Sequence, residues 1–186
     1  GIPAALLMVM VRTVLRIVAR EGHGPAEALR RVNDFLAAET APDMFATIVY
    51  GILDTRRREF TYCNGGHCYP LHVRASDDSV ATLSTGGMLV GAFASATYEE
   101  ETVSLGQGDL VALYTDGVTE SESEAGEHFG EDRILTLVRD MARLTADALC
   151  GTVRSRLAEF RGGAQRSDDL TMVAIQSDFA QGGATT

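Results

Sequence analysis

The sequence has little cysteine, little positive charge and no apolar run of membrane-spanning length. Its three cysteines, Cys63, Cys68 and Cys150, are too few for a disulfide scaffold, and their number is odd. With no signal-peptide pattern, that usage makes a reducing cytoplasm the expected location. Lysine and arginine total 16 against 26 aspartates and glutamates, a net charge of −10. A nucleic-acid binder needs a basic footprint, so this balance argues against that class, while it permits cation binding. The longest apolar stretch, Ile2 to Val11, stops at Arg12 and is too short to cross a bilayer, so no membrane segment is expected. Gly-x-Ser-x-Gly is absent, and so is any Ser-His-Asp or Cys-His arrangement for nucleophilic catalysis. There is no internal repeat and no domain linker. The chain starts at Gly1 and runs straight into a helical pattern without Met, which reads as the cut end of a longer protein.

What is present suits one globular domain. The 186 residues are 45% hydrophobic and 23% charged, enough for a substantial core. Pro3 to Glu21 reads as a helix apolar around most of its circumference, with Arg12, Arg16 and Arg20 on one narrow face. Such a helix is either a core helix or an interface. Pro25 to Glu39 is a second helix, with Ala28, Leu29, Val32, Phe35 and Leu36 as its apolar face and Glu27 placed to pair with Arg31. Strands are predicted at Met44–Leu53, Glu59–Cys63, Tyr69–Arg74, Val80–Leu83, Tyr98–Ser104 and Asp109–Tyr114, the first two as a hairpin. Helices follow over Glu131–Leu144 and Ala146–Phe160, the latter with Thr145 as N-cap, and Leu170 to Ser177 is a last strand. The result is an α+β domain with antiparallel sheets between helical layers. It spans residues 1–178, with 179–186 as a small, polar, flexible tail.

The chemistry-bearing residues are mostly carboxylates. An apolar strand ends in Tyr114-Thr115-Asp116-Gly117. Asp-Gly suits a tight turn, since Gly accepts positive φ, and Asp116 is equally placed as a hard-metal ligand on a rigid strand end. Asp168 and Asp169 stand just before the last strand, where adjacent residues point to opposite faces. Acids converging on strand ends repel unless a cation neutralises them, and oxygen ligands suit Mg²⁺ or Mn²⁺. Solvated loop acids are the alternative. Asn64-Gly65-Gly66-His67 reads as a flexible turn whose histidine could orient a loop beside a site. Cys63, His67, Cys68 and His72 have a spacing that fits no structural zinc pattern. Gly86 to Gly91 reads as a glycine-rich loop, and it precedes no helix that would make it a phosphate cradle.

Taken in order, Phe45-Ala46-Thr47, Asn64-Gly65-Gly66-His67 with Pro70, Gly87-x-x-Val90-Gly91, the run Leu113 to Glu120, and Asp168-Asp169-Leu170-Thr171 form one pattern. It resembles the bacterial metal-dependent Ser/Thr protein phosphatases of the SpoIIE/RsbU type, within the PPM superfamily, over nearly the whole chain. Gly1 to Met8 resembles the stretch that follows the family's Gly-Asp-x-Ser-Gly signature. The resemblance implies a four-layer α-β-β-α sandwich of two antiparallel sheets flanked by helices, missing its first strands. It implies two Mn²⁺ or Mg²⁺ ions and a water they activate, attacking phosphoserine or phosphothreonine. Asp116 and Asp168 carry over as catalytic and metal-binding acids, Asp169 as the neighbouring acid and Gly117 as the residue permitting close backbone approach. Asn64 and His67 carry over as site-lining residues. Phosphorylated STAS-type regulators of sigma factors are the implied substrates, and an upstream PAS- or GAF-like sensor the implied controller. A homodimer through helices 3–21 and 25–39 is the further implied contact. The sequence departs from the pattern at Gly65, where Ala is usual, and at Leu89, where Pro is usual. It also lacks the signature's aspartate, the family's first metal ligand, so weak metal binding and poor turnover are expected of these residues alone. The alternative is a catalytically silent regulatory or dimerisation module of the same fold. A third reading, an unrelated metal-binding sandwich, requires Asp116 and Asp168 to lie far apart.

Overall fold

A computed structural model describes residues 1–41, 43–141, 143–165 and 168–178. The expected tail at 179–186 and Pro42 lie outside the described residues. The chain divides into two compact units, one of Gly1–His67 with Ser84–Ser104, the other of Cys68–Leu83 with the chain from Leu105 onward.

The first unit opens with helices α1 (Ile2–Arg20) and α2 (Pro25–Glu39), each with proline in its first turn, where a missing N–H costs nothing. Glu27 binds both Arg30 and Arg31, the latter at 2.7 Å across the expected i,i+4 spacing. Ala28, Leu29, Val32 and Leu36 of α2 are wholly buried, whereas Phe35, expected on the same face, is exposed. The hairpin forms from β1 (Ile48–Asp54) and β2 (Glu59–Gly65), registered from Ile48 opposite Gly65 to Asp54 opposite Glu59. Asp54 Oδ1 closes the turn by accepting from the amides of Arg56 and Arg57, both at 2.9 Å. Two further strands flank β2. Gly86–Gly87, expected to be loop, is a short strand, β5, parallel to Asn64–Gly65. A Cβ at Gly86 would fall 1.8 Å from the carbonyl oxygen of Asn64, so only glycine lets the chains come this close. β6 (Glu101–Ser104) runs antiparallel to β2 and is shorter than the expected 98–104. The sheet is therefore antiparallel except at β5.

The helix α1 is covered along one face, with Val11, Val14 and Leu15 packed against the core beside Leu7. Only Leu7 and Val18 are buried over its 19 residues. Leu7 packs with Val32, Leu36 and Val90, while Ile2, Leu6, Met8, Val9 and Ile17 stay exposed. Arg12 interrupts the apolar run without ending the apolar helix. As a whole α1 is long and apolar enough to cross a membrane by length and composition, with a mean hydropathy of 2.0 over 18 residues.

The second unit holds the sheet β4-β3-β7-β8, built from β3 (Leu71–Val73), β4 (Val80–Thr82), β7 (Leu110–Tyr114) and β8 (Met172–Gln176), antiparallel throughout. A one-turn helix α3 (Asp116–Thr119) follows β7, and α4 (Gly130–Asp140) and α5 (Ala146–Arg161) complete the unit. The helix α4 ends before the expected Leu144. Thr145 caps α5 as expected, its hydroxyl accepting from the Ala148 amide at 3.2 Å. The core joins Leu71, Val73, Leu110, Ala112 and Tyr114 of the sheet to Ile134 and Val138 of α4 and Leu149, Val153 and Leu157 of α5.

Candidate functional site

Asp116 follows β7, a strand buried at all of its residues but Leu113. The strand does not finish in a tight turn with a left-handed glycine. Asp116 instead opens α3, and Gly117 is absent from the positive-φ residues. Glycine is required there for a different reason. A Cβ on Gly117 would meet the carbonyl oxygen of Asp169 at 2.3 Å. Register carries the two segments together, because Tyr114 faces Met172 and the Thr115 amide continues the ladder to the Thr171 carbonyl at 3.1 Å. The Thr115 hydroxyl then acts both ways, accepting from the Thr171 amide at 3.1 Å and donating to the Asp169 carbonyl at 3.3 Å. The motif Tyr-Thr-Asp-Gly contained this clamp, but periodicity gives a strand-end threonine no role.

The acid pair precedes β8 rather than lying within it, so strand alternation does not govern its side chains. Asp168 and Asp169 are exposed, as is Asp116. Asp116 Oδ1 accepts from the Gly117 amide at 3.0 Å, and Asp168 Oδ1 from the Asp169 amide at 2.7 Å. The second oxygen of each carboxylate has no hydrogen bond among the described residues. These are hard, uncommitted donors on two adjoining chain ends, and they fit Mg²⁺ or Mn²⁺ better than a soft metal. Among the described residues no three acids, histidines or cysteines gather into a metal-holding group, so this donor set is partial. Cys63 and Cys68 are not in disulfides. Burial raises the Cys68 thiol above its usual range, and the Asp116 carboxylate raises it further. Tyr114 is pushed up to about 12, chiefly by burial.

Asn64 and His67 belong to the first unit, where they build a closed turn. Asn64 Nδ2 donates to the His67 carbonyl at 2.9 Å, and Asn64 Oδ1 accepts from the His67 amide at 2.7 Å. Between them Gly66 takes φ +74°, which glycine adopts without strain. His67 Nδ1 lies 3.0 Å from the Thr47 hydroxyl, which orients the ring. The turn is thus closed by its own hydrogen bonds.

The family model described as Stage II sporulation protein E (SpoIIE) matches residues 1–178. The chain belongs to the SpoIIE family. Curated relatives include Protein IcfG of Synechocystis sp. (strain ATCC 27184 / PCC 6803 / Kazusa), 27% identical over 94% of this chain and 32% of that protein. Phosphoserine phosphatase RsbU of Bacillus subtilis (strain 168) is 26% identical over 95% of this chain and 52% of its own length. This SpoIIE-family chain therefore spans about a third and about half of those two proteins. The solved SiaA-PP2C domain of Pseudomonas aeruginosa superposes with a TM-score of 0.83 at 23% identity, covering 96% of this chain and 72% of that one. The fold is the α+β PP2C fold of two sheets with helices. The catalytic domain of the serine threonine protein phosphatase PstP, solved with 2 manganese ions, shares it at a TM-score of 0.63 and 14% identity, over 94% of this chain and 82% of that one.

Proposed function

We propose that this chain is the phosphatase domain of a metal-dependent protein serine/threonine phosphatase. The observation that carries the reading is the closure of Gly117 onto the Asp169 carbonyl, which sets Asp116 beside the Asp168–Asp169 end within a SpoIIE-family chain. In this reading Asp116 and Asp168 hold divalent metal, with Asp169 next to them, and the complete domain takes two ions, Mn²⁺ or Mg²⁺. Two bound cations supply an acidified water nucleophile and neutralise phosphoryl charge. The chain's own contribution is placement. Thr115 ties the two strand ends, and Gly117 allows their backbones to touch. The substrate we assign is a phosphoserine or phosphothreonine protein of the STAS type, in a partner-switching pathway upstream of a sigma factor. An upstream PAS- or GAF-like sensor, a cytoplasmic setting and dimerisation through α1 and α2 belong to the same proposal. RsbU, named a phosphoserine phosphatase, supports it.

The test is Mn²⁺-dependent hydrolysis of a phosphoserine STAS protein by the full-length protein. Asp116→Asn should lower turnover by roughly 10² or more, the cost of removing a preorganised charge-stabilising group. Undiminished turnover would reject the assignment. A second reading is favoured by one observation, that the described residues gather no three metal-binding side chains. Residues 1–186 alone would then be a silent regulatory module, recognised by Mn²⁺ binding and turnover near zero in this segment and in the full-length protein alike.

A further inference from the structure

We propose that α1 of one copy seats in the groove between α4 and α5 of a second copy. The two surfaces are complementary row by row. On α1, Arg12, Arg16 and Arg20 form one i,i+4 row, and Val9, Thr13 and Ile17 form the row beside it. None of the three arginines has an ion-pair partner among the described residues, and α1 contains no acid, in a chain whose net charge is −10. Val9 and Ile17 are 55% and 57% exposed, so this apolar surface lacks cover within its own unit.

The groove is open, about 660 Å³, and it presents the matching pair of rows. Asp132, Thr136 and Asp140 make one i,i+4 row of α4. Arg133 and Leu137 make the next, continued by Met141 at the end of the helix, with Phe160 of α5 alongside. The cations in the groove are already engaged. Arg133 lies 4.9 Å over the Phe160 ring and donates to the carbonyls of His128 and Phe129. Arg156 pairs with Glu159 at 3.1 Å. Asp132 and Asp140 have no partner among the described residues, so the groove's uncommitted charge is negative. Eight residues of helix rise about 12 Å, so the span from Arg12 to Arg20 equals that from Asp132 to Asp140. Packing one helix's i±4 ridges into another's grooves is the common helix-helix arrangement. It would set the arginine row on the acidic row and Val9 and Ile17 on Leu137 and Met141. This contact names the surface α1 meets, which the dimer of the preceding subsection leaves open, and it does not depend on phosphatase activity.

Sedimentation velocity reads it directly. The wild-type chain should self-associate, and the association should weaken as salt screens the rows. Arg12→Glu/Arg20→Glu and Asp132→Lys/Asp140→Lys should each weaken it at least tenfold, with far-UV circular dichroism unchanged. An equimolar mixture of the two variants should associate again, because the reversed α1 then meets a reversed groove. A monomeric wild type overturns the proposal. Full association of Asp132→Lys/Asp140→Lys alone also overturns it, since α1 would then be meeting something other than the groove.

Discussion

A methyl group at Gly117 would press on the Asp169 carbonyl, a backbone atom that cannot swing aside as a side chain can. Gly117→Ala should therefore cost about 1–3 kcal/mol of stability, read by urea unfolding, the range seen for overpacking. It should also lower phosphatase turnover by moving Asp169, and an unchanged protein on both counts would dissociate the contact from the site. Asp109 is a second residue with a sharp consequence. Its carboxylate is buried and accepts from the amides of Ala75 at 2.9 Å and Gly106 at 2.8 Å and from His72 Nε2 at 3.0 Å. Burial pushes its carboxyl up, and these hydrogen bonds outweigh burial and leave it below the usual carboxylate range. A lowered folded value stabilises the protein above the unfolded carboxylate value of about 3.9, and that stability is lost as pH falls through the folded one. Asp109→Asn should flatten unfolding free energy against pH in this acid range, and an identical slope in the variant would remove Asp109 as the source. His72 Nδ1 is buried with no hydrogen-bond partner among the described residues, and an ionised Asp109 carboxylate, which can only accept, calls for a proton on Nε2. Neither residue stood out in the sequence. Asp109 opened a predicted strand, and His72 appeared only in a rejected zinc spacing, because burial of a polar pair is a tertiary fact.

Among the elements, α2 was the most legible, since its period, its proline start and its end at Glu39 were all local signals. The one contact that period could not supply is Asn33, which is wholly buried on α2. Its Nδ2 donates to the Phe93 carbonyl at 3.0 Å, and its Oδ1 accepts from the Gly91 amide at 2.8 Å and the Tyr98 hydroxyl at 3.2 Å. One amide side chain thus ties the loop that follows β5 to the helix. Asn33→Ala would leave a backbone donor and acceptor unpaired, at about 1–3 kcal/mol. Hydrogen exchange should show Gly91 losing protection before α2 does, and equal protection in the variant would assign the loop's order elsewhere. The strand β5 was missed for a related reason. Two glycines carry no β-propensity, and they form a strand only because β2 lets the backbone come within contact. For α1 the sequence leaves core and interface both open, because composition reports apolarity and not what lies opposite it.

For the whole molecule, the sequence motifs named Asp116 and the 168–169 pair, which lie on adjoining backbone segments just beyond the β7–β8 register of the second unit. They could not show how few donors gather there. Two uncommitted carboxylates are a poor cage for an ion that demands octahedral oxygen. Residues 1–186 should accordingly gain little thermal stability from Mn²⁺, whereas the full-length protein should gain it in proportion to RT ln(1 + [Mn²⁺]/Kd). Equal gains in the two would mean that this chain already holds the complete ligand set. The thin anchoring of α1 has a consequence for how the chain meets proteases. A helix held along one face, by Leu7 and Val18 with Val11, Val14 and Leu15 half-buried, should open more readily than the sheets, and trypsin needs an opened segment with arginine at the cut. Arg12, Arg16 and Arg20 should be nicked first, shedding α1 while the chain from α2 onward persists. Dilution, which frees α1 from any neighbouring copy, should hasten those cuts.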